Sequence, residues 1–339
     1  MKIILVKMNN EDIKDFQLFI RKNHKKKHIL GTNSKVLRWY YKNSKNFNFF
    51  LAKIKKKIVG IQGFEPLNKF DRKLKNNQLF LHLWIRAEND SPGVGVEIFR
   101  KIINTFKPKF VASIGVNKNV IPYHKWQGFE VKKMNHFVFF SPFIKKFRIC
   151  NFKHSGKKIK IKNTNLNFIK VNLKNIHNLI NKKIYSFQNP LKSNYYLINR
   201  YLKNPFYNYK LYLVEKNHDQ QALVIFRFVK YSNSKAIRIV DYVGKNENFK
   251  LLYHLTIDLL QKNKAEFADI YSCGIPDKNL ESAGFINKEK IKNLIVPNNY
   301  EPFEFRNIDV YCAYKSAIPK RNIRLFRGDS DGDRVSQVK

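Results

Sequence analysis

SPGVGVEIFRKIINTF (91–106) stands between the β-rich stretch QLFLHLWI (78–85) and the buried-looking strand FVASIGV (110–116). Gly93 and Gly95 here open a helix. Glycines at that point let backbone N–H groups turn inward at a helix N-terminus, where the aligned peptide dipoles favour a phosphate or pyrophosphate. The stretch lacks the Gly-Lys-Ser/Thr ending of a P-loop and the third glycine of a dinucleotide fingerprint. Taken alone, it is equally compatible with a simple tight turn.

Working outward, the first half opens with a strand, Ile3–Val6, followed by Asn9-Asn10 as a cap and an amphipathic helix around Asp12–Lys22. A second helix, Ser34–Tyr41, precedes three β segments, Phe47–Ile54, Lys57–Phe64 and Gln78–Ile85, the first two forming a hairpin. After the glycine loop come its helix, the strand, a short helix IPYHKWQ and two closing strands in GFEVKKMNHFVFF. The second half repeats the order. Phe168–Val171 opens it, Asn175–Lys183 and Ser193–Leu202 read as helices, and Lys210–Glu215, Ala222–Tyr231 and Ile237–Val243 read as strands. The helix Phe249–Gln261, the strand Ala268–Cys273 and a closing GFINKEK complete it. Gly93 to Gly244 spans 151 positions, Gly115 to Gly274 159, and Gly128-Phe129 to Gly284-Phe285 156. Near-constant offsets predict two copies of one α/β (α+β) module, each a mixed, mostly antiparallel sheet flanked by helices. The expected division is 1–147, a basic linker 148–166, a second module 167–318 and a polar tail 319–339.

A glycine loop after an antiparallel run, then helix, strand, short aromatic helix and Gly-Phe, resembles the GNAT acyltransferase superfamily. There a loop R/Q-x-x-G-x-G/A holds the coenzyme A pyrophosphate, and a later helix ends in a Tyr-containing run before Gly-Phe. Gly93 and Gly95 match the two glycines, whereas Asp90 stands where the basic or amide residue is usual. In Y-x-x-x-G-F, the position four before Gly128 is His124, with Tyr123 beside it. Either can donate a proton, and either can equally be a packing residue.

The resemblance implies acetyl-CoA, or another acyl-CoA, in the opening between Gln78–Ile85 and FVASIGV, with the pyrophosphate on the amides of Val94, Gly95 and Val96. It extends the cofactor-binding set to Asn117. Glu88, with Glu65 behind it, is the candidate base for the acceptor amine. Backbone N–H groups would stabilise the oxyanion, and Tyr123 or His124 would protonate the departing thiolate. The second-half equivalent of the loop, DYVGKNEN (241–248), has one glycine and two acidic side chains, which oppose a pyrophosphate. One acyl-CoA site is therefore expected, in the first module. The second module would shape the acceptor site, as in two-module FemX-like transferases, with Trp84 and Asp241 as substrate-binding candidates. NNYEPFEFRNID (298–309), GDSDGDR (328–334) and QLFLHLWIRAE (78–88) also resemble a GNAT-type group encoded in bacterial surface-polysaccharide clusters. That implies N-acylation of a nucleotide-linked amino sugar in the cytoplasm. A FemX-like aminoacyl transferase and a non-catalytic nucleic-acid-binding protein are the alternatives.

Composition weighs on the last of these. The chain has 339 residues, enough for about two domains, and 66 Lys plus Arg against 25 Asp plus Glu give a net charge of +41. The excess is scattered, as in Lys25-Lys26-Lys27 and Lys55-Lys56-Lys57, and the abundant residue types share adenine- and thymine-rich codons. No recognition-helix or RNP-like motif supports specific nucleic-acid binding. Cys150, Cys273 and Cys312 are too few and too far apart for a disulfide framework or structural zinc. Asp329, Asp331 and Asp333 alternate like an EF-hand start, but no Glu closes a 12-residue loop, so no metal is expected. Neither a signal peptide nor a membrane span is read.

Overall fold

A computed structural model of the chain describes residues 2–74, 77–88, 92–153, 165–317 and 323–337. Strand β1 (Ile4–Lys7) leads into α1 (Ile13–Asn23), which buries Ile13, Phe16, Phe19 and Ile20, the three-to-four spacing of one helix face. The Asn9 side chain accepts from the Glu11 and Asp12 N–H groups just before it. Helix α2 (Ser34–Tyr41) starts where the Asn33 side chain accepts from Val36 N–H at 3.0 Å. Strands β2 (Phe49–Ile54) and β3 (Lys57–Pro66) form the expected hairpin, with Lys55 and Lys56 both at positive φ as its two-residue turn requires. Then follow β4 (Gln78–Arg86), α3 (Val94–Phe106), β5 (Phe110–Ile114), α4 (Ile121–Trp126), β6 (Glu130–Lys133) and β7 (Asn135–Phe140). The second half supplies β8 (Leu166–Val171), β9 (Lys210–Lys216), β10 (Asp219–Tyr231), β11 (Ser234–Gly244), α5 (Leu252–Asn263), β12 (Phe267–Cys273) and β13 (Tyr311–Ser316).

The α/β architecture with two mostly antiparallel sheets is as expected. Sheet one runs β1-β2-β3-β4-β5-β13-β6, and sheet two runs β8-β9-β10-β11-β12-β7, followed by the short strand Ile286–Asn287. Among the described strands only β4/β5 and β11/β12 are parallel pairs. The two halves exchange a strand. β7, read from sequence as closing the first half, pairs with β12 from Phe267↔Phe140 to Ser272↔Asn135, while β13 from the second half pairs with β5 and β6. The continuous apolar run marks NHFVFF as a buried strand but does not name its partner.

The sheets share one core. Phe80, Phe110, Ala112 and Ile114 of sheet one pack with Leu211, Leu213, Leu223, Ile225 and Val240 of sheet two. Helix α3 covers the outer face of sheet one with Val94, Ile98, Phe99 and Ile102, and α5 covers sheet two with Leu252, Leu255 and Leu260.

Two expectations need correction. The helix read over Asn175–Lys183 is broken into Ile176–Leu179 and the 3-10 turn Lys182–Phe187, with the Asn181 side chain capping a new turn at Lys183 N–H, whereas that over Ser193–Leu202 is continuous from its Ser193 cap, an α turn Asn194–Leu197 passing into a π turn Ile198–Leu202. The polar C-terminal stretch is also no surface tail, because Asp329, Ser330 and Asp333 are at most 1% exposed. Each aspartate there meets cations: Asp329 meets Lys192, Asp331 meets Arg334, and Asp333 meets Arg227 and Arg327. Buried carboxylates persist only when paired in this way. Among the described residues no helix is long and apolar enough to cross a membrane.

Candidate functional site

Strands β4 and β5 are paired only from Gln78↔Phe110 to Leu81↔Ser113. Beyond that point β5 turns to β13, and Gly115 and Val116 donate their N–H groups to Tyr311 O. The strands part beside a bulge in β4. Gln62 of β3 pairs with Trp84 and Gly63 with His82, which leaves Leu83 with no partner residue on β3 and a φ of 21°. A bulge offsets the side-chain alternation by one residue. As a result His82 and Trp84, which a regular strand would place on one face, lie on opposite faces. Trp84 packs against Phe99 and Tyr123 under α3, and His82 packs against Tyr41 on the other side.

The glycine loop delivers α3 to the mouth of this gap. Gly93 has a left-handed φ of 90°, and a Cβ there would meet nothing within 4 Å among the described residues. Its carbonyl takes Glu97 N–H, and the first-turn N–H groups of Val94, Gly95 and Val96 precede the start of the helical ladder. Gly95 is required for a different reason: a Cβ would lie 2.8 Å from Trp84 Nε1. Asp90 and Ser91 lie outside the described residues.

Among solved structures the chain is similar to a GCN5-related N-acetyltransferase from Anabaena variabilis ATCC 29413, at 13% identity and a TM-score of 0.57 over 92% of this chain and 72% of that one. A putative acetyltransferase from Pyrococcus horikoshii is similar at 10% identity and a TM-score of 0.52, over 98% of this chain and 96% of that one. A GCN5-related N-acetyltransferase from Kribbella flavida gives 9% identity and a TM-score of 0.51, covering 92% and 70%. No family model and no curated protein matches the chain. The fold is that of the GNAT acetyltransferases.

On this GNAT fold the expected cofactor-side residues converge. Tyr123 and His124 on α4 pack on Trp84, with ring centroids 5.0 and 6.2 Å away. Burial pulls His124 down to about 4, so its ring is neutral at pH 7, and its Nδ1 has no partner among the described residues. The Tyr123 hydroxyl is also buried without a partner, and burial raises its pKa against the opposing charge of Arg100. Of the two, only Tyr123 holds an ionisable proton at neutral pH. Asn117 follows β5, where its side chain accepts from Asn119 N–H and caps the turn leading to α4. Trp84, expected at the acceptor, stands on the α3 side of the sheet, against Gly95.

The acid and acceptor candidates separate. Glu88 is exposed two residues beyond the end of β4, roughly 15 Å of extended chain past the bulge, which puts it at the glycine-loop end of the gap. Glu65 is buried on the His82 face, with Oε2 3.8 Å from Lys69 and Oε1 unpartnered. Burial lowers Lys69 to about 8 in spite of Glu65. Asp241 does not face a cleft. It is fully buried, and its oxygens are taken by Lys192, by Tyr201 OH at 2.8 Å and by Tyr242 N–H at 2.8 Å.

The sequence reading missed His82 and the C-terminal segment that holds it. His82 Nδ1 lies 3.1 Å from Asp331 Oδ1 and 3.1 Å from Ser330 Oγ. Asp331 Oδ2 accepts from Tyr41 OH and Arg334. Burial alone would raise the Asp331 carboxyl, but His82 and Arg334 more than offset this and hold it well below the usual carboxylate range.

Beside Gly332 of the same segment opens a cavity of 520 Å³. Its walls include Ile114 and Gly115, where β5 parts from β4, with Lys25, Arg306 and Arg327 around it.

Proposed function

We propose that the chain is an acyl-CoA-dependent N-acyltransferase, acting in the cytoplasm as an N-acetyltransferase on the amine of a nucleotide-linked amino sugar. The observation that carries this reading is the parting of β4 from β5 at the Leu83 bulge, with α3 opening on glycines at its mouth. The amides of Val94, Gly95 and Val96 would hold the pyrophosphate of acyl-CoA, and no described residue would crowd a Cβ at Gly93 within 4 Å. The backbone at Leu83, which has no register partner on β3, would face the thioester carbonyl. Tyr123 would return a proton to the departing thiolate.

The 520 Å³ cavity would take the acceptor. Lys25, Lys118, Arg306 and Arg327 outnumber Glu304 and Asp309 in its lining, which favours an anionic molecule such as a nucleotide diphosphate. Tyr271 and Tyr311 offer rings to a base or sugar. The test is incubation with acetyl-CoA and a panel of nucleotide-linked amino sugars while free thiol is followed. Thiol release that depends on one of these amines supports the reading. Release only with aminoacyl-tRNA would transfer the reading to the FemX-like class.

A further inference from the structure

We propose that His82 is the general base of acyl transfer and that Asp331, carried in by the C-terminal segment, is the positioning residue that fixes its tautomer. The proposal rests on the acyltransferase reading above and adds the proton acceptor, which neither Glu88 nor Asp241 supplies from its observed position.

Asp331 Oδ1 and Ser330 Oγ both approach His82 Nδ1 at 3.1 Å. An ionised carboxylate can only accept, so the neutral ring carries its proton on Nδ1 and keeps a lone pair on Nε2. Nε2 is buried with no partner among the described residues. Other groups on the same side of the sheet share that condition: Glu65 Oε1, Arg200 Nη1 and Tyr196 OH are buried and unpartnered too. Glu65 and His82 lie diagonally across β3 and β4, since Glu65 pairs with Phe80 and Gly63 with His82. Arg200 and Tyr196 both feel the Glu65 charge. Buried polar atoms are normally satisfied, so open donors and acceptors on the same side of the sheet as this imidazole mark a place for a polar ligand.

The position along the strand fits the role. His82 is the residue before the Leu83 bulge, on the face opposite Trp84, so a thioester lying in the gap would have Trp84 on one side and His82 on the other. In the step itself the uncharged amine nitrogen bonds to the thioester carbonyl carbon, and the carbon–sulfur bond breaks with its electron pair on sulfur. The surplus proton on nitrogen passes to His82 Nε2. The thiolate takes a proton from Tyr123, and solvent returns one proton from His82 to Tyr123. The products are an amide and the free thiol.

Charged and titratable groups facing His82 are Asp331 from the C-terminal segment, Tyr41 from α2 and Glu65 from β3, with Arg334 acting through Asp331. The first test needs no variant and no acceptor: nitrogen-15 NMR of the full chain labelled at histidine. The proposal predicts the Nδ1–H tautomer for His82 at neutral pH, and an Nε2–H tautomer overturns it. The second test uses acetyl-CoA with the most active amino sugar of the panel. His82→Gln should lower kcat by about 10²-fold or more with KM for acetyl-CoA little changed. Asp331→Asn should lower kcat by about tenfold and move the acid limb of the kcat/KM profile. Wild-type rate and pH profile in both variants would overturn the assignment of the base alone. Absence of thiol release by the wild type with every acceptor would take down the acyltransferase reading itself.

Discussion

The two parallel strand pairs among the described residues begin alike and end differently. β4 and β5 separate after Leu81/Ser113, and among the described residues no segment of the chain pairs into the space between them. β11 and β12 are paired from Ile237↔Ala268 to Ile239↔Ile270 and then also separate, but here the chain fills the gap itself. Leu325 and Phe326 pair with Cys273 and Ser272 of β12, and Gly328 N–H donates to Val240 O of β11. The Arg324 guanidinium caps Gly244 O and Phe187 O, at the place where the first module has its glycine loop. One strand pair is thus left open, and the other is filled by the chain's own C-terminal segment. The same segment runs on to Ser330 and Asp331 at His82, so the filled slot anchors part of the open one.

Several substitutions would break or sharpen this contrast. The largest effect is expected for Asp333→Ala, which strips the bidentate partner from buried Arg227 and leaves Tyr209 OH only the longer bond to the backbone carbonyl of residue 333. Chemical unfolding should show a loss of about 3–5 kcal/mol. Next is Gly274→Ala. Gly274 has a φ of 98°, and a Cβ would stand 2.0 Å from Ile323 O, a backbone atom of the filling segment. A loss of about 2–4 kcal/mol is expected by the same measurement, with acetyl-CoA binding retained. Gly93→Ala is its counterpart in the open slot, with a φ of 90° but nothing within 4 Å, so only the backbone cost of about 1–2 kcal/mol should appear.

The smallest effect is on pH dependence. Burial, aided by Arg334, holds His28 down to about 3, and burial holds His124 down to about 4. Both folded-state values lie below the unfolded value of about 6.5. Their contribution to stability is therefore complete above pH 6.5 and is lost as pH falls toward 4. The thermal midpoint should fall over that window, and less steeply in His124→Phe.

Much of this was legible in the sequence because it is local. Apolar spacing places α1, α2 and the β2–β3 hairpin, and the Gly93/Gly95 pair marks the start of α3. The Gly244, Gly274 and Gly284 landmarks expose the second module. What escaped is non-local. Nothing in NHFVFF or YCAYKS says which sheet each joins, since pairing register is set by partners more than 100 residues away. Nothing in GDSDGDR shows that its aspartates are buried, because the cations that meet them include Lys192 and Arg227, far off in sequence. His82 sits mid-strand in an apolar run, where only its partner Asp331, 249 residues later, distinguishes it from a core histidine. The lysine and arginine excess hid the same fact, since Lys192, Arg200, Arg227, Arg238 and Arg324 are all buried.

The central claim, one open slot and one filled slot, is tested most directly by calorimetric titration of acetyl-CoA into the full chain. The account predicts saturable binding of one molecule per chain, abolished by Gly95→Glu. Two molecules per chain, no saturable heat, or unchanged binding in Gly95→Glu would contradict it.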